Sequence, residues 1–323
     1  MKHTYSLSLI LIAVIFLTGC AIISVPLVTP LQKLEERIIE GKGKDKILVL
    51  DISGIISEKK RPEVPLRGET SMIEDVREAL KKAEGDRTIR GLIVRINSPG
   101  GSTTGSDILH HEIVQFKKST HMHIIASLMN VGTSGGYYVA TAADEIVAHP
   151  TTITGSIAVI ALKFNMKGLL DLIGIKEETV KSGKMKDIWS PFRPSTEAER
   201  KIMQEVIDTF HARFIDVVVK GRTALSRQEI ELLADERIYT ADQALEAKLI
   251  DHIGYLDDAI AMMKNHLTLT EATIITYGRP GTFKETIYSQ GPPISPQTLN
   301  IINVQGVEFL ALPELHFMYL WIP

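Results

Sequence analysis

Three short apolar runs alternate with two amphipathic segments in the first half of the chain. The runs at 47–52, 91–96 and 123–128 are rich in β-forming residues and are nearly continuous in apolar character, which is typical of strands buried on both faces. Between them, residues 72–83 and 106–118 carry apolar side chains at helical spacing. Strands that alternate with helices predict an α/β fold with a largely parallel sheet and crossover helices.

The second half of the chain is predicted to be mainly helical. A fourth apolar run at 145–148 precedes it, and 176–181 has a strand-like composition. Helices are expected at 166–173, 196–222, 227–234, 241–247 and 256–266. The segment 277–298 is rich in Gly, Pro, Ser and Thr and predicts a loop or flap. The apolar and aromatic stretch 309–322 is expected to dock on the core or on a neighbouring subunit.

The first twenty residues are typical of a targeting signal. Lys2 and His3 precede an apolar run, and the tetrapeptide Leu17-Thr-Gly-Cys20 resembles the lipobox of bacterial lipoproteins. In that class the chain is cut before the cysteine, which then carries several acyl chains, and these give a stable anchor. Residues 1–20 are therefore expected to be a lipoprotein signal peptide, with Cys20 as the site of lipidation.

The charged, helix-permissive segment that follows suits a spacer at 21–46 between membrane and body. An uncleaved transmembrane anchor is the alternative, since apolar residues continue through Val28. Both readings place the body of the protein outside the cytoplasm, in the bacterial cell envelope.

Charge and cysteine content exclude several classes of function. The net charge of -3 and the pI near 6.4 show no basic excess, so nucleic acid is not an expected partner. Cys20 is the single cysteine, which excludes an internal disulfide framework and any multi-cysteine metal site.

A glycine pair marks the end of the second predicted strand, in Asn97-Ser-Pro-Gly-Gly-Ser102. Glycines allow the backbone to turn sharply and to present free N–H groups to a developing negative charge. Because many strand-to-helix turns contain such a pair, this motif alone is a weak indication of an oxyanion site.

A serine follows the third strand, in Thr133-Ser-Gly-Gly-Tyr-Tyr-Val-Ala140. The hydroxyl of Ser134 would lie at the start of a helix, beside the N–H of Gly135, an arrangement that suits acyl transfer. A serine at this position more often caps the helix. The local residues leave both interpretations open.

Taken together, the two motifs resemble the bacterial signal peptide peptidase A family. Further matches are Gly155-Ser-Ile157 and Lys181-Ser-Gly-Lys-Met-Lys-Asp187. The family is a serine-lysine peptidase branch of the fold that the Clp protease shares with the crotonases, and the resemblance covers roughly 47–253. It implies a Clp/crotonase-like peptidase domain at 47–265 with a C-terminal helical region, followed by a partly flexible extension at 266–323.

The resemblance also implies roles for individual residues. Ser134 would be the nucleophile, Lys186 the general base, the Gly101 and Gly135 amides the oxyanion hole, and Ser156 the residue that orients the lysine. A lysine acts as a base only when neutral, so a side chain with an ordinary pKa of about 10.4 must be desolvated in the active state.

Two alternatives compete with this catalytic pair. Lys184 lies on the same face of an extended segment as Lys186, and the residues alone do not separate them, whereas the family pattern Ser-Gly-x-x-Lys selects Lys186. His149, with Asp144 nearby, could complete a histidine triad as in the Clp protease, but the family does not use this position.

No metal or cofactor is expected. His110-His111 and His121-x-His123 could suggest metal ligands, but no convincing third ligand completes either set.

The function that the resemblance implies is that of a membrane-anchored serine endopeptidase acting through an acyl-enzyme. Its expected substrates are cleaved signal peptides and other unfolded or membrane-released peptides with small or apolar side chains beside the scissile bond, and a homo-oligomeric ring is the expected assembly. Gly132-Thr133 and Ala158 depart from the usual family residues, which leaves substrate preference less defined than mechanism. The alternatives are a crotonase-like acyl-CoA enzyme and a catalytically silent envelope scaffold lipoprotein.

Overall fold

A computed structural model of the protein describes residues 33–59, 70–279, 286–287 and 317–322. Within these residues the strands, in chain order, are β1 Glu35–Gly41, β2 Lys46–Ser53, β3 Ile89–Ser98, β4 Gly100–Ser102, β5 His123–Thr133, β6 Glu145–Ala148, β7 Ile153–Gly155, β8 Ile160–Ala161, β9 Ile238–Thr240, β10 His252–Ile253, β11 Thr273–Gly278 and β12 Phe317–Leu320. The helices are α1 Met72–Glu84, α2 Thr103–Thr120, α3 Gly135–Ala140, α4 Lys167–Leu172, α5 Glu197–Gly221, α6 Arg227–Leu233, α7 Ala241–Glu246 and α8 Leu256–His266.

A largely parallel sheet forms the centre of the described structure. Its main path runs β1-β11-β2-β3-β5-β6-β10, and every neighbouring pair from β11 to β10 is parallel. A smaller sheet, in the order β4-β12-β8, lies beside it. Helices connect the parallel strands, which confirms the α/β fold with crossover helices that the sequence predicts.

Side chains of the central strands alternate between two cores. On β2, Leu48 and Leu50 face the core that α1 and α2 cover, whereas Ile47 and Val49 face the core that α8 covers through residues such as Ile260. Burial on both faces explains why these strands have nearly continuous apolar sequences. Each fully buried aliphatic side chain stabilises the fold by roughly 1.5–3 kcal/mol.

The predicted helices are confirmed, and local hydrogen bonds form the start signals of several of them. The Thr196 hydroxyl accepts from the Glu199 N–H at 3.3 Å, and the Glu199 carboxylate accepts from the Thr196 N–H at 2.8 Å. This reciprocal capping box starts α5, and Ser71 with Glu74 starts α1 in the same way.

The sheet extends beyond the limits that the sequence suggests. Residues 35–41, expected to be helix-permissive spacer, form β1, which pairs antiparallel with β11. In turn β11 lies between β1 and β2, although the sequence assigns its residues to the C-terminal extension. An edge strand tolerates charged side chains, and because β1 contains several of them its sequence does not show a strand pattern. The strand predicted at 176–181 was also wrong, because these residues form no regular element.

Several predictions concern residues outside the described part of the chain. Residues 1–32, with Cys20, are among them, and so is most of 277–298. In the part that the structure describes, no helix is both long enough and apolar enough to cross a membrane.

An ion pair ties the end of α5 to the loop before β10. Arg222 donates to both carboxylate oxygens of Asp251, at 2.7 and 2.8 Å, and also to the carbonyl oxygen of Lys248. The Arg222 side chain is 7% exposed and that of Asp251 30%. Burial alone would raise the pKa of Asp251, but hydrogen bonds from Arg222 and from the Ile146 N–H outweigh it and hold the pKa below its ordinary value.

Substituting Asp251→Asn should therefore destabilise the protein. Breaking a fully buried pair costs roughly 3–5 kcal/mol, and the partial exposure of Asp251 reduces the expected loss to about 2 kcal/mol at pH 7. A carboxylate with a lowered pKa contributes stability above its unfolded pKa of about 3.9 and loses it as the pH falls. Urea unfolding at pH 7 and pH 3 should show a smaller acid dependence in the variant than in the wild type.

The matched control is Asp216→Asn. Asp216 pairs with Arg227, but both side chains are half exposed, so the free energy of unfolding should not change. Equal effects of the two substitutions would contradict a structural role for the Arg222–Asp251 pair.

Candidate active site

The two predicted site motifs that contain Gly101 and Ser134 lie together where β3 and β5 end side by side. These strands are parallel neighbours, and Ser98 pairs with Gly132 at their carboxyl ends. Gly101 follows the first strand and Ser134 the second, so the register brings the two sequence motifs together. This edge is where ligands bind in open parallel sheets.

Ser134 occupies a strained turn between β5 and α3. Its φ of 51° and ψ of -115° are uncommon for a residue with a side chain. Its N–H donates to the Gly155 carbonyl at 2.7 Å, which holds the turn. The Oγ is buried, has no hydrogen-bond partner among the described residues and does not cap α3. The capping interpretation is therefore wrong. The turn is similar to the strained strand-to-helix turn that carries the nucleophilic serine in other hydrolases, although here the serine is buried.

The glycine pair lies against two other backbone segments. A β-carbon on Gly101 would lie 1.9 Å from the Ile56 carbonyl oxygen, and one on Gly100, where φ is 102°, would lie 2.7 Å from the Gly135 nitrogen. The Gly100 carbonyl and the Ser102 N–H both bond to Ile56, so the Gly101 N–H points to the other edge of β4. The Gly101 and Gly135 amides thus border the same small space, as an oxyanion hole requires.

Ser156 lies next to the residue that fixes the nucleophile. It is buried with a φ of 51°, and its N–H donates to the Arg237 carbonyl at 2.8 Å. The neighbouring Gly155 carbonyl is the acceptor for Ser134. The position is compatible with the predicted lysine-orienting role, which stays a prediction.

The structure of a single chain does not bring Lys186 to Ser134. Lys186 is exposed in a turn, and in the described part of the chain its ammonium group makes no hydrogen bond or ion pair. Lys184 is exposed as well. The structure therefore does not decide whether Lys186 or Lys184 is the general base. The pairing of Ser134 with Lys186 stays a prediction from the family pattern.

A charged network attaches the lysine-bearing segment to α5. Arg193 donates to Asp187 at 2.7 Å and to Glu199 at 2.5 Å, and Lys181 donates to Asp187 at 2.5 Å. The hydrogen bonds from Arg193 and then Lys181 hold the pKa of Asp187 well below its usual range, and Arg193 lowers the pKa of Glu199 to about 2. Both carboxylates are ionised at neutral pH, so the network holds the turn beside Lys186.

Lys163 is a partly buried amine that the sequence analysis missed. Burial lowers the pKa of Lys163. However, its amine already donates to the Arg193 carbonyl at 3.0 Å and to the Ser195 hydroxyl at 2.7 Å, which marks it as a structural residue. Its burial comes from tertiary packing, so no local sequence signal identifies it.

The histidine alternative is not supported by the contacts of its members. His149 lies in an exposed turn, where its Nδ1 contacts the Thr151 hydroxyl at 2.9 Å. Asp144 contacts Lys117 and His123 instead of His149.

One set of possible metal ligands lies at the opposite end of β5. His123, Glu145 and His266 have ligand atoms within 4.8 Å of one another, so Glu145 and His266 supply the ligands that the sequence pattern lacked. Yet the two rings stack nearly parallel at 3.7 Å, and His123 Nε2 contacts Glu145 at 2.9 Å. Parallel rings do not aim their nitrogens at one ion. The cluster has no part in the chemistry around Ser134.

Comparison with known proteins gives the family. The profile of peptidase family S49 matches residues 116–270. A protein of Enterococcus faecium, assigned as a signal peptide peptidase SppA, is 37% identical over 75% of this chain and 70% of its own length. The chain belongs to the signal peptide peptidase A family, peptidase family S49.

Other relatives agree with the S49 assignment. Protease 4 of Haemophilus influenzae is 30% identical over 88% of this chain and 45% of its own length. Among solved structures, a mutant of the 1510-N membrane-bound stomatin-specific protease covers 69% of this chain and 86% of its own, with 16% identity and a TM-score of 0.43. As a member of family S49 the chain is a serine protease, which leaves the acyl-CoA alternative without support.

Proposed function

We propose that this S49 protease is a membrane-anchored endopeptidase that hydrolyses cleaved signal peptides and other unfolded or membrane-released peptides. The observation that carries the proposal is the Ser134 hydroxyl, which is buried beside the Gly101 and Gly135 amides and has no hydrogen-bond partner among the described residues. A buried, unpaired hydroxyl costs free energy, and proteins retain such a group where function requires it.

The proposed reaction combines these groups with Lys186. The Ser134 Oγ attacks the substrate carbonyl and its proton passes to the neutral amine of Lys186, while the amides of Gly101 and Gly135 hold the oxyanion. The lysine then returns the proton to the leaving amine as the C–N bond breaks. Water attacks the acyl-enzyme by the same route, releasing the acid and restoring Ser134. The reaction requires neither metal nor cofactor.

The shape of the site supports extended peptides as substrates. The distance between β4 and β8 is that of one intervening strand. β12 lies there and pairs antiparallel with both. A peptide bound in this way forms main-chain hydrogen bonds along its length, which a folded protein segment cannot offer. Unfolded and membrane-released peptides are therefore the fitting substrate class.

We also propose a homo-oligomeric ring, in which a neighbouring subunit completes the dyad. The segment 162–195 carries an unusual density of exposed apolar side chains: Phe164, Met166, Leu169, Leu172, Ile173, Ile175, Val180, Met185 and Phe192. Such a surface marks a protein–protein contact, and Lys186 lies within it. A second copy covering this segment would desolvate the lysine, as its role as a base requires.

Anchoring through a lipidated Cys20 would place the site in the bacterial cell envelope. The support is the sequence alone, since an apolar run ends in a lipobox-like tetrapeptide before the body begins.

The test uses the full chain in detergent micelles with a synthetic signal peptide and with a folded globular protein. We expect internal cleavage of the peptide, identified by product masses, and no cleavage of the folded protein. Ser134→Ala is the control for contaminating proteases. Failure to cleave a broad set of unfolded peptides would favour the silent scaffold.

A further inference from the structure

The two amides of the predicted oxyanion hole belong to different elements. Gly101 lies in β4, directly before α2, whereas Gly135 is the first residue of α3 and follows Ser134. Any shift of α3 relative to α2 therefore changes the distance between the two amides and moves the nucleophile as well. A misplacement of about 1 Å in such a site can lower the rate by about a hundredfold. Catalysis therefore requires that the relative position of α2 and α3 is fixed.

Glycines let α3 lie directly against its neighbours. A β-carbon on Gly135 would lie 2.4 Å from the Ser106 hydroxyl oxygen of α2, and one on Gly136 would lie 2.6 Å from the Ser98 carbonyl oxygen of β3. A helix of six residues is not stable by itself, so contacts with its surroundings decide where α3 lies.

A buried tyrosine joins α3 to α2. The Tyr138 hydroxyl donates to Asp107 Oδ1 at 2.5 Å, and the Tyr138 N–H donates to the Ser134 carbonyl at 2.8 Å. The Tyr138 side chain is fully buried, and its ring lies 5.0 Å from that of Phe214 in α5, between centroids. Burial, and then the hydrogen bond to Asp107, raise the pKa of Tyr138, so its hydroxyl keeps the proton that it donates. One residue thus contacts both the turn at Ser134 and α2.

Arg213 of α5 fixes the carboxylate of Asp107. Its Nε and Nη2 atoms donate to the same Oδ1 atom, at 3.0 and 2.6 Å. The Asp107 side chain is 34% exposed and that of Arg213 57%, so solvent screens this ion pair, which orients the carboxylate more than it stabilises the fold. Burial lowers the pKa of the neighbouring His110 to about 4, so His110 is neutral at neutral pH and does not compete with Arg213 for the carboxylate.

We propose that Asp107 is a positioning residue of the active site, which keeps Ser134 and Gly101 at a fixed distance through the Tyr138 hydroxyl. The proposal rests on the catalytic roles proposed above for Ser134 and the two amides. Asp107 acts on the reaction through Tyr138, because the bond between them is the side-chain hydrogen bond that connects α2 with α3 in the described part of the chain.

The experiment measures two quantities on the full chain in detergent micelles. One is the rate at which a fluorophosphonate labels Ser134, and the other is the pair kcat and KM for the synthetic signal peptide. Asp107→Ala and Tyr138→Phe should each lower the labelling rate and kcat by about 10- to 100-fold and change KM less than about twofold, because the displaced amides no longer hold the oxyanion together. Asp107→Asn keeps an acceptor oxygen in the same place and should retain kcat within about threefold of the wild type.

A double-variant cycle shows whether Asp107 and Tyr138 act as one unit. Combining Asp107→Ala with Tyr138→Phe should lower kcat no further than either substitution alone, because each removes the same hydrogen bond. Losses that multiply would show that the two side chains act separately and would overturn the proposal. Tyr138→Phe preserves the buried ring, so it remains the test should Asp107→Ala fail to fold.

The matched control is Tyr137→Phe. Tyr137 is the neighbouring residue of α3 and is equally buried, but its hydroxyl donates to the Leu249 carbonyl at 2.8 Å instead of to a residue of α2. Its removal costs a buried hydrogen bond and leaves the contact with α2 in place, so labelling and kcat should not change. An equal loss in Tyr137→Phe, or unchanged labelling in both Asp107→Ala and Tyr138→Phe, would overturn the positioning role.

The labelling rate separates this proposal from the proposed peptidase function. Slower labelling of the variants, together with a wild type that cleaves no unfolded peptide, would support the positioning role and count against signal peptides as substrates. Slower peptide cleavage with unchanged labelling would overturn the positioning role, because a displaced oxyanion hole slows both reactions. A wild type that is not labelled on Ser134 would overturn both proposals.

Discussion

Ser134→Ala should abolish peptide hydrolysis while leaving the fold intact. Removing the nucleophile of a serine protease lowers kcat by a factor on the order of 10⁶, because the oxyanion amides alone accelerate hydrolysis only weakly. The substitution also removes a buried hydroxyl that has no hydrogen-bond partner among the described residues, so the free energy of unfolding should stay equal or rise slightly. Steady-state kinetics and urea unfolding measure the two effects on the same preparation.

The matched control is Ser119→Ala. Ser119 lies at the end of α2 remote from the site, where its hydroxyl donates to the Phe116 carbonyl. Its removal should leave activity unchanged. Activity of Ser134→Ala above about one part in a thousand of the wild type would show that another group attacks the substrate.

Lys186→Ala should also lower kcat strongly, by about 10⁴, with little change in KM. General-base catalysis contributes about 10²–10⁴, and a dyad acts as a unit, so the loss should lie at the upper end. Lys184→Ala is the matched control, because it removes an exposed lysine two residues away and should retain activity. Loss of activity in Lys184→Ala but not in Lys186→Ala would show that the base is Lys184.

Mixing the two inactive variants tests where the lysine comes from. Within one chain the Ser134 Oγ has no hydrogen-bond partner among the described residues, so we expect the amine to come from a neighbouring subunit. Co-assembly of Ser134→Ala with Lys186→Ala subunits should then restore part of the activity, because some sites receive an intact serine and an intact lysine. An assembly that stays inactive would indicate that both groups act within one subunit.

The sequence predicts the centre of the fold because strands buried on both faces must be apolar throughout. That constraint makes β2, β3 and β5 visible as runs of aliphatic residues, and capping boxes such as the one at Thr196 mark the helices. At the edges the constraint disappears. β1 contains charged residues because most of its side chains are exposed to solvent. Short strands such as β7 have too few residues to show a pattern.

The same difference between local and distant information applies to the site. Ser134 and the glycine pair are recognisable because each forms its own turn, and the glycines fit where a β-carbon would collide with backbone atoms. We expect the position of Lys186 relative to Ser134 to depend on a neighbouring subunit, which no local pattern encodes. The pairing of β12 with β4 was missed for a similar reason, since it joins residues more than two hundred positions apart in the sequence.

The most direct test of the account is to map the adduct of a fluorophosphonate on the full chain. We expect a single adduct on the wild type, located on Ser134 by peptide mass analysis and absent from Ser134→Ala. An adduct on a different residue, or no adduct on wild type that folds and assembles normally, would contradict the assignment of Ser134 as the nucleophile.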